Sequence, residues 1–343
     1  MTAIPTARGD FIDSSELGFT LITECVIGPR LLEKEINWPD HTFAEIPVEE
    51  RLADAVKQLN TAKEHGIDTI SDRVIPGAGR DVRTLKRLAE QVPINIIVPT
   101  GWYTWRDLPG QMVLREVFSH LLENNPEPTL GDLFVRDIED GILDTGVRAG
   151  TIKFATDAPG LTDDVRRVIR HSASAHRRTG VPLTTHTGIG IGIRTGLLQQ
   201  EALEEEGVDL TRVNLGHVDW TDPDTPLDEF ERALQKGSFM SFDTLGLYYQ
   251  WPAEMGQRMR EKRIERVASL IEKGYVGQIM LSHDNSTYHD VFPAPPSQYP
   301  TYTQVSLDLI PALKERGVTE DQVTQMMVGN PRRFFETKDK GSY

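Results

Sequence analysis

The sequence predicts an α/β protein folded as a (β/α)8 barrel, with its functional site at the carboxyl ends of the strands. Two observations lead to this fold class. Eight short apolar runs alternate with longer amphipathic segments, and no linker or repeat divides the 343 residues into smaller units. Eight strands alternating with helices close a barrel whose active site lies at the carboxyl ends of its strands. We therefore expect a single domain that spans residues 1–343.

The apolar runs are predicted to be buried parallel strands. Each is rich in β-branched residues, is bounded by Gly, Pro, Asp or Asn, and is too short for a helix. Strands that are covered on both faces of a parallel sheet are continuously apolar and do not alternate with polar residues. The eight runs are residues 20–23, 69–73, 94–98, 151–155, 183–185, 213–215, 239–242 and 278–281.

The segments between these runs carry apolar residues at helical spacing. They predict helices at residues 48–65, 81–91, 163–179, 195–206, 227–236 and 257–273. Several are followed at once by a glycine, which is typical of a helix C-cap. Two connections, residues 102–137 and 285–302, are much longer than usual. We expect both to shape a substrate pocket at the mouth of the barrel.

Composition narrows the class of protein. The formal net charge of −15 opposes binding to nucleic acid and to anionic membranes. No apolar stretch approaches the roughly 18–20 residues of a membrane span. The single cysteine excludes an internal disulfide, and the first residues lack the pattern of a secretory signal. We expect a cytoplasmic protein that acts on a small molecule.

Four polar residues follow four of the predicted strands or lie within them: Lys153, His186, His217 and Asp284. A catalytic divalent metal commonly takes about three protein ligands and keeps a position open for water. A single histidine at such a position is as often a core residue as a ligand. Two histidines and an aspartate on different strands indicate a metal-dependent hydrolase.

Lys153 is unusual because a lysine within a barrel strand is directed into the core, where its charge is costly. A salt bridge, a depressed pKa or carboxylation of the amine would each relieve this cost. Asp284 also has alternatives. It can bind metal, accept a proton from the attacking water, or cap the turn that follows it.

The chain resembles the phosphotriesterase-like family of the amidohydrolase superfamily, which includes phosphotriesterases and phosphotriesterase-like lactonases. The resemblance covers most of the chain and depends on an ordered set of short motifs. These are Gly18-Phe-Thr-Leu, Asp137-Ile-Glu-Asp-Gly-Ile, Ile152-Lys-Phe-Ala-Thr-Asp, Gly160-Leu-Thr, Thr185-His-Thr, Leu215-Gly-His, Leu281-Ser-His-Asp and Asn330-Pro-Arg-Arg-Phe-Phe.

The resemblance implies a (β/α)8 barrel, a homodimer, and a metal centre bridged by an N6-carboxylated Lys153. It places His186 and His217 on the more exposed metal, and makes Asp284 both ligand and proton acceptor. Tyr103 matches a tyrosine that hydrogen-bonds toward the metal-bound water. Zinc is the expected metal, and cobalt, iron and manganese also suit these donors.

The chain departs from the family in two places. The family's buried metal is held by a His-x-His pair on the first strand, where this chain has Thr23 and Cys25. Cys25 can supply a thiolate ligand or be a small packed residue. Thr244 and Leu245 stand where the lactonases carry an arginine and an aromatic residue, which weakens the assignment of an acyl-homoserine lactone as substrate.

Three interpretations follow. The first is a one-metal hydrolase that cleaves a lactone or carboxylic ester, with weak phosphotriesterase activity possible in the same pocket. The second is a two-metal hydrolase in which Cys25, with Glu24 or a water, completes the buried site. The third is an inactive barrel that binds a small molecule or regulates a partner. An amide hydrolase with a remodelled metal centre is a further alternative.

In the preferred one-metal interpretation, Asp284 takes the proton of the attacking water and passes it on through His283 or His289. Tyr103 orients the nucleophile or stabilises the developing oxyanion. Apolar walls are expected from aromatic residues in the loops, or these residues pack beneath the loops: Trp102, Trp105, Tyr248, Tyr249 and Trp251.

Overall fold

A parallel eight-stranded sheet forms the centre of the molecule and confirms the predicted (β/α)8 barrel. The computed structural model describes residues 2–28, 47–110, 129–188, 191–244, 252–287 and 302–336. A short antiparallel hairpin, β1 (Ala3–Pro5) and β2 (Phe11–Asp13), precedes the barrel. The barrel strands are β3 (Thr20–Glu24), β4 (Thr69–Asp72), β5 (Asn95–Trp102), β6 (Ala149–Ala155), β7 (Leu183–His186), β8 (Val213–Leu215), β9 (Phe239–Phe242) and β10 (Ile279–Leu281).

Helices cover the outside of this sheet, and six of the seven longer ones among the described residues lie where the sequence pattern predicts. They are α1 (Val48–Glu64), α2 (Val82–Ala89), α3 (Leu130–Glu139), α4 (Asp163–Thr179), α5 (Gly192–Glu205), α6 (Leu227–Gln235) and α7 (Ala253–Glu272). The shorter helices α8 (Ile310–Glu315), α9 (Glu320–Thr324) and α10 (Asn330–Phe335) follow β10, with a π-helical turn before α8 and another before α10. Among the described residues, no helix is long and apolar enough to cross a membrane.

The connection predicted at residues 102–137 contains a helix that the sequence pattern did not identify. Helix α3 begins after Thr129, whose side chain accepts a hydrogen bond from the backbone of Asp132. The carboxylate of Asp132 accepts in return from the backbone of Thr129, which completes a capping box. The connection is therefore shorter at its carboxyl end than expected.

The first barrel strand, β3, meets the last, β10, at the mouth of the barrel. The contacts are hydrogen bonds between residues 23–25 and the residues that follow β10. The backbone N–H of Cys25 donates to the carbonyl of Asn285 at 2.8 Å, and that of Asp284 donates to the carbonyl of Thr23 at 3.1 Å. The buried carboxylate of Glu24 accepts from Ser282 Oγ and from the backbone N–H of Asn285, both at 2.7 Å. These bonds fix the chain around Thr23 and Cys25 against the chain that carries Asp284.

Two apolar clusters hold the layers together. The larger one lies between the strands and the surrounding helices. The smaller one joins residues of four barrel strands to the last helix and to the segment before β3. The members on the barrel strands lie near the middle or amino end of each strand, so the cluster closes the barrel below the site. The members of the smaller cluster are Ile4, Leu17, Ile22, Ile97, Phe239, Met280, Phe334 and Phe335.

His176 on α4 gives the fold a predictable acid sensitivity. The ring is fully buried, and its Nδ1 lies 2.7 Å from the carbonyl of Val181. Burial lowers the pKa of His176 to about 4. A histidine in the unfolded chain takes up its proton near pH 6.5, so protons favour unfolding between pH 6.5 and 4. This group should therefore remove about 3 kcal/mol of stability as pH falls through that window.

The variant His176→Asn tests this expectation, because an asparagine amide can still donate to the carbonyl of Val181. Urea denaturation at several pH values should show a shallower loss of unfolding free energy for the variant between pH 6.5 and 4. Parallel losses in both proteins would show that other groups carry the acid sensitivity.

Candidate active site

The carboxyl ends of the strands bring together the four polar residues expected at the site. Lys153 is in β6 and His186 ends β7, while His217 and Asp284 follow β8 and β10. The rings of His186 and His217 meet edge to face with centroids 4.6 Å apart. Asp284 Oδ2 lies 3.9 Å from His217 Nδ1. The predicted set is thus one cluster inside the mouth of the barrel.

His217 and Asp284 share a strained backbone. Their φ angles are 57° and 55°, in the left-handed region that side chains other than glycine rarely adopt. The backbone N–H of His217 is held by Asp243 Oδ1 at 2.9 Å, and that of Asp284 by the carbonyl of Thr23. Strain of this kind persists where surrounding contacts enforce it, and it concentrates at functional sites.

Lys153 is buried, with 5% of its surface exposed. No residue that the structure describes forms a hydrogen bond or an ion pair with its amine. Burial lowers the pKa of Lys153, although the charges of Cys25 and Asp284 oppose this effect. The salt bridge considered from the sequence is therefore not formed within the described residues. A buried amine with a lowered pKa is more easily deprotonated, and the neutral form is the one that reacts with carbon dioxide.

His186 is oriented by Asp157, a residue that sequence reasoning did not select. Nε2 of His186 lies 3.2 Å from Asp157 Oδ1, and the hydroxyl of Tyr103 donates to Asp157 Oδ2 at 2.5 Å. Asp157 is fully buried. Burial alone would raise the pKa of Asp157, but the hydrogen bonds from His186 and Tyr103 outweigh it and the pKa is lowered. Asp157 fixes the ring so that Nδ1 is left for the centre of the site.

Tyr103 lies against the same imidazole, with ring centroids 5.5 Å apart. Burial, reinforced by the charge of Asp157, raises the pKa of Tyr103, so the phenol remains a proton donor. Its hydroxyl is directed at Asp157 and acts on His186 through that carboxylate. This contact differs from the role expected from the resemblance, in which the tyrosine reaches the nucleophile.

His217 is oriented in a similar way by Asp243. Nδ1 of His217 lies 2.9 Å from Asp243 Oδ1, which also accepts the backbone N–H of the histidine. Burial lowers the pKa of His217. Burial and the nearby Asp219 raise the pKa of Asp243 to about 8. With Nδ1 engaged, Nε2 is the atom of His217 that remains for a metal.

Asp284 is largely buried, with 16% of its side chain exposed, and burial raises its pKa. Its Oδ1 lies 3.6 Å from the sulfur of Cys25. Burial and the charge of Asp284 raise the pKa of the Cys25 thiol well above its ordinary value. The sulfur is therefore within reach of the cluster, and in the metal-free protein it is held as a thiol.

The relay expected through His283 does not fit the geometry. The ring is fully buried, with Nδ1 2.7 Å from Glu24 Oε1. Its Nε2 accepts the backbone N–H of Val305 at 2.8 Å. Both nitrogens are thus engaged in structural contacts, with β3 and with the π-helical turn before α8. The carboxylate of Glu24, which was considered as an inner ligand, is engaged as well. His289, the other expected relay, lies outside the described residues.

The expected pocket walls are only partly accounted for. Trp102 packs against the core, and Trp105 is 51% exposed. Thr244 is buried, and its hydroxyl accepts a hydrogen bond from Arg263 at 2.6 Å. Leu245 and three of the expected aromatic residues lie outside the described residues: Tyr248, Tyr249 and Trp251.

The donor set fits a divalent metal when the lysine is included. Among the described residues, no group of three His, Cys, Asp or Glu side chains is close enough to hold a metal by itself. The two imidazoles, Asp284 and the amine of Lys153 together supply nitrogen and oxygen donors suited to zinc, cobalt, iron or manganese. Carboxylation of the amine would supply the missing anionic ligand.

Comparison with known proteins identifies the family of the chain. The model of the phosphotriesterase family matches residues 2–335. The chain belongs to the phosphotriesterase family. Members of this family are divalent-metal-dependent hydrolases, which supports the same coarse description here.

Three relatives show the range of the phosphotriesterase family. The solved structure of the phosphotriesterase from Mycobacterium tuberculosis is 39% identical, with a TM-score of 0.85 over 98% of this chain and 99% of that one. The aryldialkylphosphatase of Saccharolobus solfataricus is 35% identical over 97% of this chain and 99% of that protein. The N-acetyltaurine hydrolase of Dictyostelium discoideum is 27% identical over 82% of this chain and 72% of that protein.

Proposed function

We propose that this protein is a one-metal hydrolase that cleaves a lactone or a carboxylic ester of a small molecule. The observation that carries the proposal is the buried amine of Lys153. It has no hydrogen-bond or ion-pair partner among the described residues, yet it shares the mouth of the barrel with two oriented imidazoles and Asp284. A buried amine in this company is best explained as a ligand precursor that reacts with carbon dioxide to give a carbamate and a proton.

Lys153, His186, His217 and Asp284 would hold the ion, with zinc as the first choice. A divalent cation bound there would polarise the bond under attack and make a water molecule more acidic. The residues of the chain do the rest. Asp157 and Asp243 fix the two imidazoles, and Asp284 receives the proton that the attacking water loses. Because burial raises the pKa of Asp284, it is a stronger base than an ordinary aspartate.

The attack adds the water oxygen to the acyl carbon and breaks the bond to the alcohol oxygen. The proton held on Asp284 then returns to that alkoxide, so the carboxylate is restored. The site would act within a cytoplasmic homodimer, with the single cysteine supporting the location and the family resemblance supporting the dimer. The charge of −15 opposes binding to nucleic acid and to anionic membranes. Neither nucleic acid nor a membrane is a partner in this proposal.

An amide hydrolase is the second candidate, and the N-acetyltaurine hydrolase among the relatives favours it. The chemistry of the two candidates differs at the leaving group, since an amine must be protonated before it departs. His283 is committed to Glu24 and the backbone of Val305, so it is not placed to give that proton. Asp284 is then the donor that the mechanism provides for either leaving group, and a departing alcohol needs its proton less than a departing amine does, so the ester reaction is preferred.

The experiment compares matched substrates on protein reconstituted with zinc and bicarbonate. Metal per chain is measured first, and about one equivalent is expected. The panel then pairs p-nitrophenyl acetate with p-nitroacetanilide, which share an acyl group, and adds a γ-lactone and a phosphotriester. We expect the ester and the lactone to have the highest kcat/KM. Preference for the anilide would support the amide candidate, and metal-loaded protein without hydrolysis of any substrate would contradict both.

A further inference from the structure

Arg73 is a buried cation inside the barrel that the proposed mechanism does not use. It follows β4, and only 2% of its surface is exposed. Its Nε and Nη2 donate to the carbonyl of Ile22 in β3, and its Nη1 donates to Thr151 Oγ1 in β6 at 3.1 Å. Strands β3 and β6 are not neighbours in the sheet. A side chain that contacts both must cross the interior of the barrel.

The backbone is arranged to receive this guanidinium. The pairing of β3 with β4 shifts register between Leu21 and Glu24, so the intervening carbonyl of Ile22 is out of the regular ladder. Thr151 lies two residues before Lys153 on the same face of β6, because strand side chains alternate. The guanidinium therefore lies one layer below the amine of Lys153.

Three of the four groups that act most strongly on the charge of Arg73 belong to the candidate site. The groups whose charges act on it are Asp243, Asp72, Cys25 and Asp284. Burial lowers the pKa of Arg73 to about 10, so the side chain keeps its charge at neutral pH. The site thus has a permanent positive charge beneath it, beside the first strand.

The same first strand lacks the donors that a buried metal would need. Thr23 and Cys25 stand in the register of the expected His-x-His pair. The Thr23 hydroxyl is a weak ligand. Among the described residues, no three His, Cys, Asp or Glu side chains are grouped closely enough to hold a metal, Cys25 included. Glu24 between them is committed to Ser282, His283 and Asn285. These residues do not fit a second, inner metal ion.

We propose that the guanidinium of Arg73 replaces the inner metal as the positive charge beneath the site. This inference rests on the proposed one-metal function and explains how a carbamate on Lys153 is stabilised with one divalent ion. A fixed buried cation also repels a divalent ion placed beside it. Restoring the two histidines is then insufficient to restore a second metal while Arg73 is present.

Three variants test this inference through metal content, measured by elemental analysis after reconstitution with zinc and bicarbonate. Thr23→His/Cys25→His should keep about one zinc per chain, as the wild type does. Adding Arg73→Met should raise the content to about two, because the repelling charge is gone. Adding Arg73→Lys, which keeps the charge, should leave it at about one.

Either of two results would overturn the inference. The first is about two zinc ions per chain in Thr23→His/Cys25→His with Arg73 intact. The second is about one zinc ion per chain after Arg73→Met is added, in a protein that circular dichroism shows to be folded. Arg73→Gln is a second neutral variant if the methionine variant fails to fold, since its amide can still donate to Ile22. Arg212→Met, which removes another buried arginine that donates to the carbonyl of Arg333, is the control and should leave metal content unchanged. A wild-type protein that binds no zinc would contradict the proposed function. The inference about Arg73 depends instead on the difference in zinc per chain between the variants with and without Arg73.

Discussion

Lys153→Ala is expected to lose bound metal and hydrolytic activity together, with kcat/KM falling about a thousandfold or more. The variant removes the amine on which the carbamate forms, and with it the anionic ligand that the two imidazoles and Asp284 cannot replace. The metal-free protein should keep its thermal stability, because no described residue hydrogen-bonds to or pairs with this amine. Elemental analysis, an esterase assay and a thermal melt of the same samples check all three statements.

Rescue by small acids makes this test specific. Acetate or propionate can enter the space that the lysine side chain leaves and present a carboxylate where the carbamate stood, so both metal content and activity should partly return. Lys236→Ala is the matched control, since that lysine pairs at the surface with Glu204 and takes no part in the site. A variant that kept its metal and lost only stability would make Lys153 a structural residue of the core.

Much of the barrel was predictable because its strands are buried on both faces. Residues 183–185 and 239–242 carry no charged side chain and do not alternate between buried and exposed, and they match β7 and β9 within one residue. Helix ends were readable where a glycine must adopt a positive φ, as Gly180 does at 73° after α4. Helix α3 was missed, although Thr129 and Asp132 form its capping box, because its surroundings carry no comparable signal.

The candidate ligands of the site were predictable from the sequence, but the hydrogen bonds that orient them were not. Lys153, His186, His217 and Asp284 were identified because each stands at a strand end, where the topology of a barrel gathers side chains. Asp157 and Asp243 were missed as orienting residues, since an aspartate that supports a histidine across strands leaves no periodic pattern. The role of His283 was misjudged for the same reason, because only the structure shows its bonds to Glu24 and Val305.

Asp284→Asn is the second large effect, and here activity and stability should move in opposite directions. Asparagine tolerates the left-handed backbone that Asp284 adopts at φ 55°, so the turn is preserved. Without a carboxylate to receive the proton of the attacking water, kcat should fall about a thousandfold. Burial raises the pKa of Asp284 in the folded protein. In the metal-free protein, Asp284 therefore lowers the free energy of unfolding at every pH above the pKa of an aspartate in the unfolded chain.

The variant removes that cost, and metal-free Asp284→Asn should therefore melt at a higher temperature than the metal-free wild type at pH 8. This difference in melting temperature should disappear at low pH. An aspartate in the unfolded chain is protonated below about pH 4, so near that pH Asp284 is neutral in both the folded and the unfolded wild type. The variant and the wild type should then melt at the same temperature. Melting curves at the two pH values, with chelator present, separate this role from that of a turn aspartate. If Asp284 served only to cap the turn, its replacement would lower the melting temperature at pH 8 and leave kcat close to the wild-type value.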